Sequence, residues 1–429
     1  MFQIEKKKSE NLSAYLVGIR RHPYTQQEAD DHFAELNELV RTMGMPVAGS
    51  EMVNINTPTA QLLMGSGKAE AIKLNAEAKE ANVIIIDDEL SPAQQRNWEE
   101  LTEKAVIDRR EVILDIFKQR AHTREAQLQV DLAKLEYSLP RLKRAWTHLE
   151  RQRGGGGFTG GAGEAQIEVD RRLVRDSIAQ LKKELADVRS RRATQRKSRQ
   201  SKPVPTAALV GYTNAGKSSV LNALTGADVL AEDKLFATLD PTTRRITLIN
   251  KQEMLLTDTV GFIRKLPHML VDAFKATLEE AELADLLLHV VDASHPNAID
   301  HITATQEVLK ELHADSNPML YLLNKADLVT DEIALAHLQE AARPFIMTST
   351  MTGGGMDELK KYLADFAAKD LAIVHVRIPS TRHDIVSFLH REGHVLNEKY
   401  EDDEAVLEVN LPMKFHSRVT EFLTPAAKS

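Results

Sequence analysis

The sequence contains no cysteine, which excludes disulfide bonds, cysteine-ligated zinc clusters and thiol nucleophiles. It also has no apolar run near the ~20 residues that a membrane helix requires. The best candidate, LADLLLHVV, is short and is interrupted by Asp285 and His289. The N-terminal stretch MFQIEKKKSE lacks the apolar core of a secretory signal. Together these absences predict a cytoplasmic protein with no stable membrane insertion.

Most of the chain has no excess of positive charge, and the net positive charge is concentrated in one stretch. The net charge is −8, yet residues 141–202 hold 17 Lys and Arg against 7 Asp and Glu, a local net charge of +10. A basic module on an acidic body suggests a partner that carries phosphates. The alternative is a solvated coiled coil whose charges only keep it soluble.

The length of 429 residues allows two to four domains. In residues 1–125, strand-like runs at 14–19, near 53, at 83–88 and at 105–108 alternate with helical patterns at 26–43 and 69–81. This alternation predicts a small parallel α/β domain. The same alternation returns over 204–368 and predicts a second α/β domain, and residues 369–429 are typical of a small α+β appendage.

Apolar residues recur every three or four positions in two segments between the α/β domains, at 128–149 and 174–188. A glycine-rich stretch, residues 154–163, separates them. The spacing predicts an antiparallel helical hairpin over 126–200 with a flexible tip, and Pro140 should bend the first arm. Each arm of ~25 residues would be roughly 37 Å long.

The motif GYTNAGKS matches the phosphate-binding pattern G-x-x-x-x-G-K-[ST], and it lies between an apolar run and a helical pattern. Lys217 is expected to reach the β- and γ-phosphates, and the Ser218 hydroxyl to hold Mg²⁺. The predicted nucleotide contacts here are Gly211, Tyr212, Thr213, Asn214, Ala215, Gly216, Lys217, Ser218 and Ser219. The similar GSGK at 65–68 fails the pattern at both ends and predicts only a helix start.

Two further motifs complete a guanine-nucleotide site. Asp258 of DTVG ends a strand and is placed to hold Mg²⁺ through water, while the Gly261 amide can sense the γ-phosphate. Asp327 of NKAD can accept both donors on the Watson–Crick edge of guanine, which adenine cannot satisfy. A backbone amide of TST can meet the guanine carbonyl. The predicted contacts are Asp258, Thr259, Val260, Gly261, Asn324, Lys325, Ala326, Asp327, Thr348, Ser349 and Thr350.

Two positions stay open on the residues alone. A threonine of LFATLDPTTRR should complete the Mg²⁺ shell, and Thr238, Thr242 and Thr243 all qualify by position. Phe262 stands where many GTP-hydrolysing switches carry a polar group that orients the attacking water. Phenylalanine cannot do this, so another group must complete the site.

These motifs, with the hairpin segments QLQVDLAKLEYSLPRL and GEAQIEVDRR, resemble the HflX family of ribosome-associated GTPases over essentially the full chain. The resemblance implies slow GTP hydrolysis that the large ribosomal subunit stimulates, and separation of ribosomal subunits under stress. It implies that Thr238 joins Ser218 on Mg²⁺, and that a hydrophobic residue at Phe262 is normal. It assigns catalytic roles to Lys217, Thr238 and Gly261. It adds as nucleotide contacts Phe236, Ala237, Leu239 and Asp240.

The resemblance places the hairpin on rRNA of the large subunit, with its tip near the peptidyl-transferase region. The tip departs from the family pattern, because Gly160 and Ala162 replace an arginine and a proline. Three means of activation follow: immobilisation of the switch loops by the ribosome, K⁺ bound near Asn214, or Arg244 and Arg245 acting in cis. The alternative functions are a GTP-gated rRNA-binding factor in large-subunit assembly and an RNA-remodelling enzyme. The protein is expected to be a monomer.

One acidic pair lies outside these motifs. Asp87 and Asp88 end a predicted strand of the N-terminal domain, where α/β folds tend to bind ligands. The favoured interpretation is that they cap the next helix, which Ser91 and Pro92 begin. A second nucleotide site is the less favoured alternative.

Overall fold

A computed structural model describes residues 12–142, 161–199, 204–226, 235–236, 238–264, 280–368, 371–401 and 403–424. Side chains at 161–167, 189, 191–199, 371–372, 394 and 412–414 are not described. The chain divides into two compact units. Among the described residues, the first unit comprises those up to Asp187 and those from 235 to Asp240, and the second comprises the rest.

The first unit contains a four-stranded parallel sheet of order β2-β1-β3-β4. Its strands are β1 Ala14–Arg20, β2 Val47–Asn54, β3 Val83–Ile86 and β4 Ala105–Asp108. Its first helices are α1 Gln26–Met43, α2 Ser66–Ala78, α3 Pro92–Thr102 and α4 Arg109–Arg120. Helices α1 and α4 pack together, as do α2 and α3. The parallel α/β prediction for this region is confirmed.

Local capping fixes where these helices begin and end. Thr25 and Glu28 form a reciprocal capping box at the start of α1, and Gly44 ends it in a left-handed conformation with φ 84°. The predicted span 26–43 is therefore correct to the residue. In contrast, β2 begins at Val47, well before the predicted apolar run near Val53, because this edge strand is mostly half-buried and carries little apolar patterning.

The carboxylates at the end of β3 do not cap α3, so that prediction was wrong. Ser91 alone caps the helix, with Gln94 completing the capping box. Asp87 instead forms a buried ion pair with Arg109 at 2.9 Å, and Asp88 pairs with Arg21 at 3.2 Å. Both carboxylates are occupied by arginines of the same unit, which gives no support to a second nucleotide site.

Two helices follow in the region of the predicted hairpin, α5 Arg124–Ser138 and α6 Gly161–Arg199. Helix α5 ends at Ser138, and Pro140 lies in the 3₁₀ turn that follows. The rest of the predicted first arm, residues 143–149, lies outside the described residues, so the bend stays a prediction. Helix α6 begins within the predicted tip, and residues 154–160 of that tip lie outside the described residues. Ion pairs Arg124–Glu184 and Lys182–Glu136 join the two helices.

The second unit contains a six-stranded sheet of order β10-β9-β8-β5-β7-β6, in which only β6 is antiparallel to its neighbour. Its strands are β5 Thr206–Val210, β6 Thr242–Thr247, β7 Glu253–Asp258, β8 Leu286–Asp292, β9 Met319–Asn324 and β10 Phe345–Met347. Its helices are α7 Lys217–Thr225, α8 Ala298–Glu311, α9 Glu332–Ala341 and α10 Met356–Ala368. Aliphatic side chains on both faces of the sheet form its cores.

The C-terminal residues form a three-stranded antiparallel sheet of order β11-β13-β12 with one helix packed on it. The elements are β11 Leu371–Pro379, α11 His383–Glu392, β12 His394–Glu401 and β13 Glu404–Pro412. The predicted α+β appendage is confirmed, and 3₁₀ turns at Met413–Arg418 and Thr420–Phe422 follow β13. Within the described part of the chain, no helix is both long and apolar enough to cross a membrane.

Candidate nucleotide-binding site

The phosphate loop joins β5 to α7 and is held in one conformation by its glycines. Gly216 has φ 94°, and a Cβ there would lie 2.3 Å from Nδ2 of Asn324. Only glycine fits this left-handed position so close to another side chain. The loop therefore leads directly into the N-terminus of α7, where backbone N–H groups and the helix dipole favour an anion.

Lys217 is buried at the start of α7. Its Nζ donates to the carbonyl oxygens of Gly211 at 3.2 Å and Tyr212 at 2.8 Å. Burial lowers the pKa of Lys217 to about 8, although the charge of Asp258 opposes that shift. The ammonium group is thus held by the loop that would surround the phosphates.

Ser218 and Asp258 lie side by side. The Ser218 hydroxyl donates to the Asp258 carboxylate at 2.6 Å. Asp258 ends β7 and pairs in register with Leu209 of β5, so adjacent parallel strands bring the two motifs together. Hydroxyl and carboxylate oxygens are ligands that Mg²⁺ prefers. Among the described residues, no group of three or more His, Cys, Asp or Glu side chains could hold a metal ion.

The residues after Asp258 are fastened to the phosphate loop. Phe262 N donates to Gly211 O at 3.1 Å, and Thr213 N donates to Phe262 O at 2.7 Å. A Cβ on Gly261 would lie 2.8 Å from Cγ2 and 2.9 Å from Cα of Thr213, so glycine is required for this close approach. The Phe262 side chain is 1% exposed and belongs to the hydrophobic interior.

Tyr212 of the phosphate loop makes a third connection to the residues after Asp258, which the sequence did not indicate. Its ring stacks on His301 of α8 with centroids 3.8 Å apart and planes 4° apart. Its hydroxyl accepts a hydrogen bond from Arg264 N at 2.8 Å, and the Arg264 guanidinium pairs with Asp300 at 2.8 Å. Burial, together with His295 and Arg264, lowers the pKa of His301 to about 3, so the stacked imidazole is neutral.

A buried histidine lies on the central strand β8. His289 is 1% exposed. Burial and the charge of Lys217 lower its pKa to about 3. No motif contained His289, and only its position inside an apolar run could have indicated burial.

The NKAD motif is joined to the phosphate loop by a hydrogen bond. Asn324 ends β9 and donates through Nδ2 to Ala215 O at 3.0 Å. Ala326 N donates to Thr348 O at 3.1 Å, which joins the NKAD and TST loops. Ser349 N donates to Gly354 O at 2.9 Å. The two loops therefore form one structure at the carboxyl edge of the sheet.

Asp327 is exposed on a 3₁₀ turn of that structure, where its carboxylate is open to a ligand. Lys325 adopts a left-handed conformation and forms an ion pair with Asp292 at 2.6 Å. Burial raises the pKa of Asp292, but hydrogen bonds from Lys325 and Ser294 outweigh it and bring that pKa below its usual value. Asp292 was not predicted, because its partner is distant in sequence.

The predicted threonines separate into two groups. Thr242 and Thr243 lie in β6, and the Thr243 hydroxyl bonds to that of Thr257 at 2.9 Å. Thr238 lies outside regular structure and is half-buried, in the part of the segment that belongs to the first unit. Phe236, Leu239 and Asp240 belong to the same unit, and Ala237 lies outside the described residues.

Three family models match the chain in sequence order. Residues 30–118 match "GTP-binding GTPase N-terminal", residues 120–199 match "GTP-binding GTPase Middle Region", and residues 206–325 match "50S ribosome-binding GTPase". The three matches therefore span most of the first unit and run from the phosphate loop to Lys325, the second residue of NKAD.

Curated relatives match over nearly the whole chain. GTPase HflX of Akkermansia muciniphila is 46% identical over 99% of both chains. GTPase HflX of Escherichia coli is 43% identical over 91% of this chain and 92% of its own. A solved GTP-binding protein from Sulfolobus solfataricus in complex with GDP is 26% identical, covers 84% of this chain and 99% of its own, and has a TM-score of 0.44. The near-complete coverage at this identity shows that the chain belongs to the HflX family of GTPases.

Proposed function

We propose that this protein is a Mg²⁺-dependent GTPase that binds the large ribosomal subunit and couples GTP binding and hydrolysis to separation of the ribosomal subunits. The observation that carries the proposal is the Ser218–Asp258 pair at 2.6 Å, beside buried Lys217 at the end of the phosphate loop. Membership of a GTPase family with a ribosome-binding GTPase region supports the choice of reaction and partner.

The donor set fits Mg²⁺. Ser218 and Thr238 would be ligands, and Asp258 would act through water. When bound, Mg²⁺ neutralises charge on the phosphate oxygens. The nucleotide phosphates and these protein oxygens would hold the ion jointly.

The protein residues around the phosphates bind and orient. Lys217 would exchange its two loop carbonyls for phosphate oxygens, and the Gly261 amide would donate to the γ-phosphate. Asn324 acts through the loop that it holds, whereas Asp327 reads the base. Binding and base selection thus belong to different residues of one motif.

A group other than Phe262 must activate the attacking water. That side chain is buried, and both its amide and its carbonyl are bonded to the phosphate loop. An unassisted switch GTPase turns over at roughly 10⁻⁴ per second, and completing its site gains about 10⁵-fold. Immobilisation of the switch loops by the ribosome would supply this gain.

K⁺ bound near Asn214 is the second means of activation. Asn214 is exposed and has φ 60° at the tip of the phosphate loop. If K⁺ contributes, wild type should hydrolyse GTP faster in K⁺ than in Na⁺ buffer, and Asn214→Ala should remove that difference. Equal responses of the two proteins to the two salts would exclude this role.

Activation in cis by arginine has less support. Arg245 forms an ion pair with Glu253 at 3.0 Å across the β6–β7 pair, so its charge is already engaged. Arg244 is exposed on the same strand.

The basic region within residues 126–200 is the proposed rRNA contact, in a monomeric cytoplasmic protein. Each phosphate that the region neutralises releases counterions, so ribosome affinity should fall linearly on a plot of log affinity against log salt. A flat response would contradict the phosphate contact.

The alternative function is a GTP-gated factor in large-subunit assembly. Turnover of GTP should be measured alone, with large subunits and with intact ribosomes, while light scattering follows subunit separation with GTP and a non-hydrolysable analogue. We expect strong stimulation, and separation with the analogue as well. Binding to immature large subunits without separation of intact ribosomes would favour assembly, and no stimulation by either particle would exclude the ribosome as the activator.

A further inference from the structure

A segment of the switch region is bound by the N-terminal half of the chain. Residues 235–236 and 238–240, here called the switch segment, are grouped with the first unit, although the chain enters β6 only two residues later. The segment contacts a corner between α4 and α5 that is formed by Phe117, His122 and Thr123, here called the α4–α5 corner.

The polar contact is made by Asp240. Its carboxylate accepts hydrogen bonds from His122 N at 2.9 Å, from Thr123 N at 3.0 Å and from the Thr123 hydroxyl. The Thr123 hydroxyl also caps α5, accepting from Ala126 N at 3.2 Å. A carboxylate at a helix N-terminus is stabilised by the helix dipole as well as by the donated N–H groups. Asp240 thus completes the start of α5.

The apolar contact is made by Phe236. It packs edge to face on Phe117, with ring centroids 4.6 Å apart and planes at 85°, and it is 2% exposed. Its φ is 55°, a left-handed conformation that is unfavourable for an aromatic residue. Burial against Phe117 offsets that strain. Two contacts therefore hold the segment, one on each side of Thr238.

We propose that the α4–α5 corner is a positioning site for the switch segment. The corner holds the segment through Asp240 and Phe236, and it releases the segment when Mg²⁺ and GTP take Thr238 as a ligand. The inference rests on the proposed role of Thr238 at Mg²⁺. Phe117 and Thr123 are then positioning residues for GTP hydrolysis, although both lie outside the GTPase region.

Thermodynamic linkage between the corner and the nucleotide has two consequences, one for nucleotide preference and one for α5. If GTP binding releases the segment, then weakening the corner must favour GTP over GDP by the same factor. In the other direction, GTP removes the carboxylate from the N-terminus of α5. Helix α5 is the first helix of the proposed rRNA-binding region. The nucleotide state therefore affects that region through Asp240, whose carboxylate accepts hydrogen bonds at the N-terminus of α5.

The test uses two threonines that cap helices of the same unit. Thr123→Val removes the hydroxyl that meets Asp240, whereas Thr25→Val removes the equivalent cap of α1, which accepts from Glu28 N at 3.2 Å. We would measure the ratio of the Kd for GDP to the Kd for a non-hydrolysable GTP analogue, in Mg²⁺. The ratio should rise about fivefold in Thr123→Val. It should stay at the wild-type value in Thr25→Val, and Thr123→Ser should restore it.

Thermal unfolding shows whether both valine variants fold. A ratio that is unchanged or lower in Thr123→Val, or that rises equally in Thr25→Val, would overturn the proposal. The first result would mean that the corner has only a structural role, or that weakening it favours GDP. The second result would mean that the change in the Kd ratio reflects a general loss of stability.

Hydrogen exchange separates this inference from the proposed function. In wild type, the amides of His122 and Thr123 should exchange faster with the analogue and Mg²⁺ than with GDP. Thr238→Ala should remove that difference. Normal nucleotide binding with the same exchange in both states would overturn the corner alone. A wild-type protein that bound no guanine nucleotide would overturn the proposed function, and this inference with it.

Discussion

Removal of the Tyr212 hydroxyl should slow GTP hydrolysis without weakening GDP binding. The hydroxyl accepts a hydrogen bond from Arg264 N at 2.8 Å. Arg264 lies three residues after Gly261, and the Gly261 amide is proposed to donate to the γ-phosphate. Tyr212→Phe keeps the stack on His301 and removes the hydroxyl that accepts from Arg264 N. GDP has no γ-phosphate, so its affinity should not depend on how firmly Gly261 is held.

The size of the effect follows from one lost hydrogen bond. A typical intramolecular hydrogen bond contributes about 0.5–1.5 kcal/mol, and two backbone bonds still join Phe262 to the phosphate loop. If the whole loss falls on the transition state, kcat should drop roughly two- to tenfold, with KM unchanged. Single-turnover hydrolysis and GDP titration measure the two quantities separately.

Tyr321 provides a matched control in the same unit. It is 6% exposed against 5% for Tyr212, and its hydroxyl likewise accepts an N–H donor at 2.8 Å, from Gln306. Tyr321→Phe should therefore lose similar stability and keep kcat. Equal kcat losses in the two variants would refute the reasoning, and so would a Tyr212→Phe protein that bound GDP and GTP less tightly at unchanged kcat.

Three further predictions follow from the site. Asp327→Asn replaces an acceptor with a donor, so nucleotide binding should shift from guanine to xanthine nucleotides by at least tenfold, measured by competition. Asn324→Ala leaves Ala215 O without its donor, so GDP and GTP should both bind roughly 10- to 100-fold less tightly while the base preference stays the same. His289 and His301 have folded pKa values of about 3 against 6.5, so only the unfolded chain takes up protons as the pH falls below 6.5. As the pH is lowered below 6.5, the free energy of unfolding should decrease by up to about 1.4 kcal/mol per pH unit per histidine. His289→Gln should reduce this slope in urea unfolding measured from pH 5 to 7. Parallel slopes for the variant and wild type would contradict the prediction.

Elements set by local signals were predictable from the sequence. Helix α1 was predicted to the residue, because its capping box and its terminal glycine are both local. The buried strands of both α/β regions were found by their apolar runs. The edge strand β2 was placed less well, since only one of its residues is buried and the strand carries little apolar patterning.

The motif residues of the site were predictable, whereas the contacts between motifs were not. The sequence indicates Ser218 and Asp258 separately, and the parallel pairing of β5 with β7 brings them together. The Tyr212–His301 stack and the Lys325–Asp292 ion pair join residues that are far apart in sequence and belong to no common pattern. Only the tertiary fold determines such pairs.

The position of Phe262 limits how the reaction can be regulated. Its side chain is buried and its backbone is bonded to the phosphate loop, so no rotation of this residue can create a water-orienting group. Three hydrogen bonds hold residues 262–264 to Gly211, Tyr212 and Thr213, which makes this part of the site a fixed element. Regulation must then act on the switch segment, which contains the candidate Mg²⁺ ligand Thr238. Because that segment is held by the α4–α5 corner, a partner that moves α5 can change the rate of hydrolysis without touching the nucleotide.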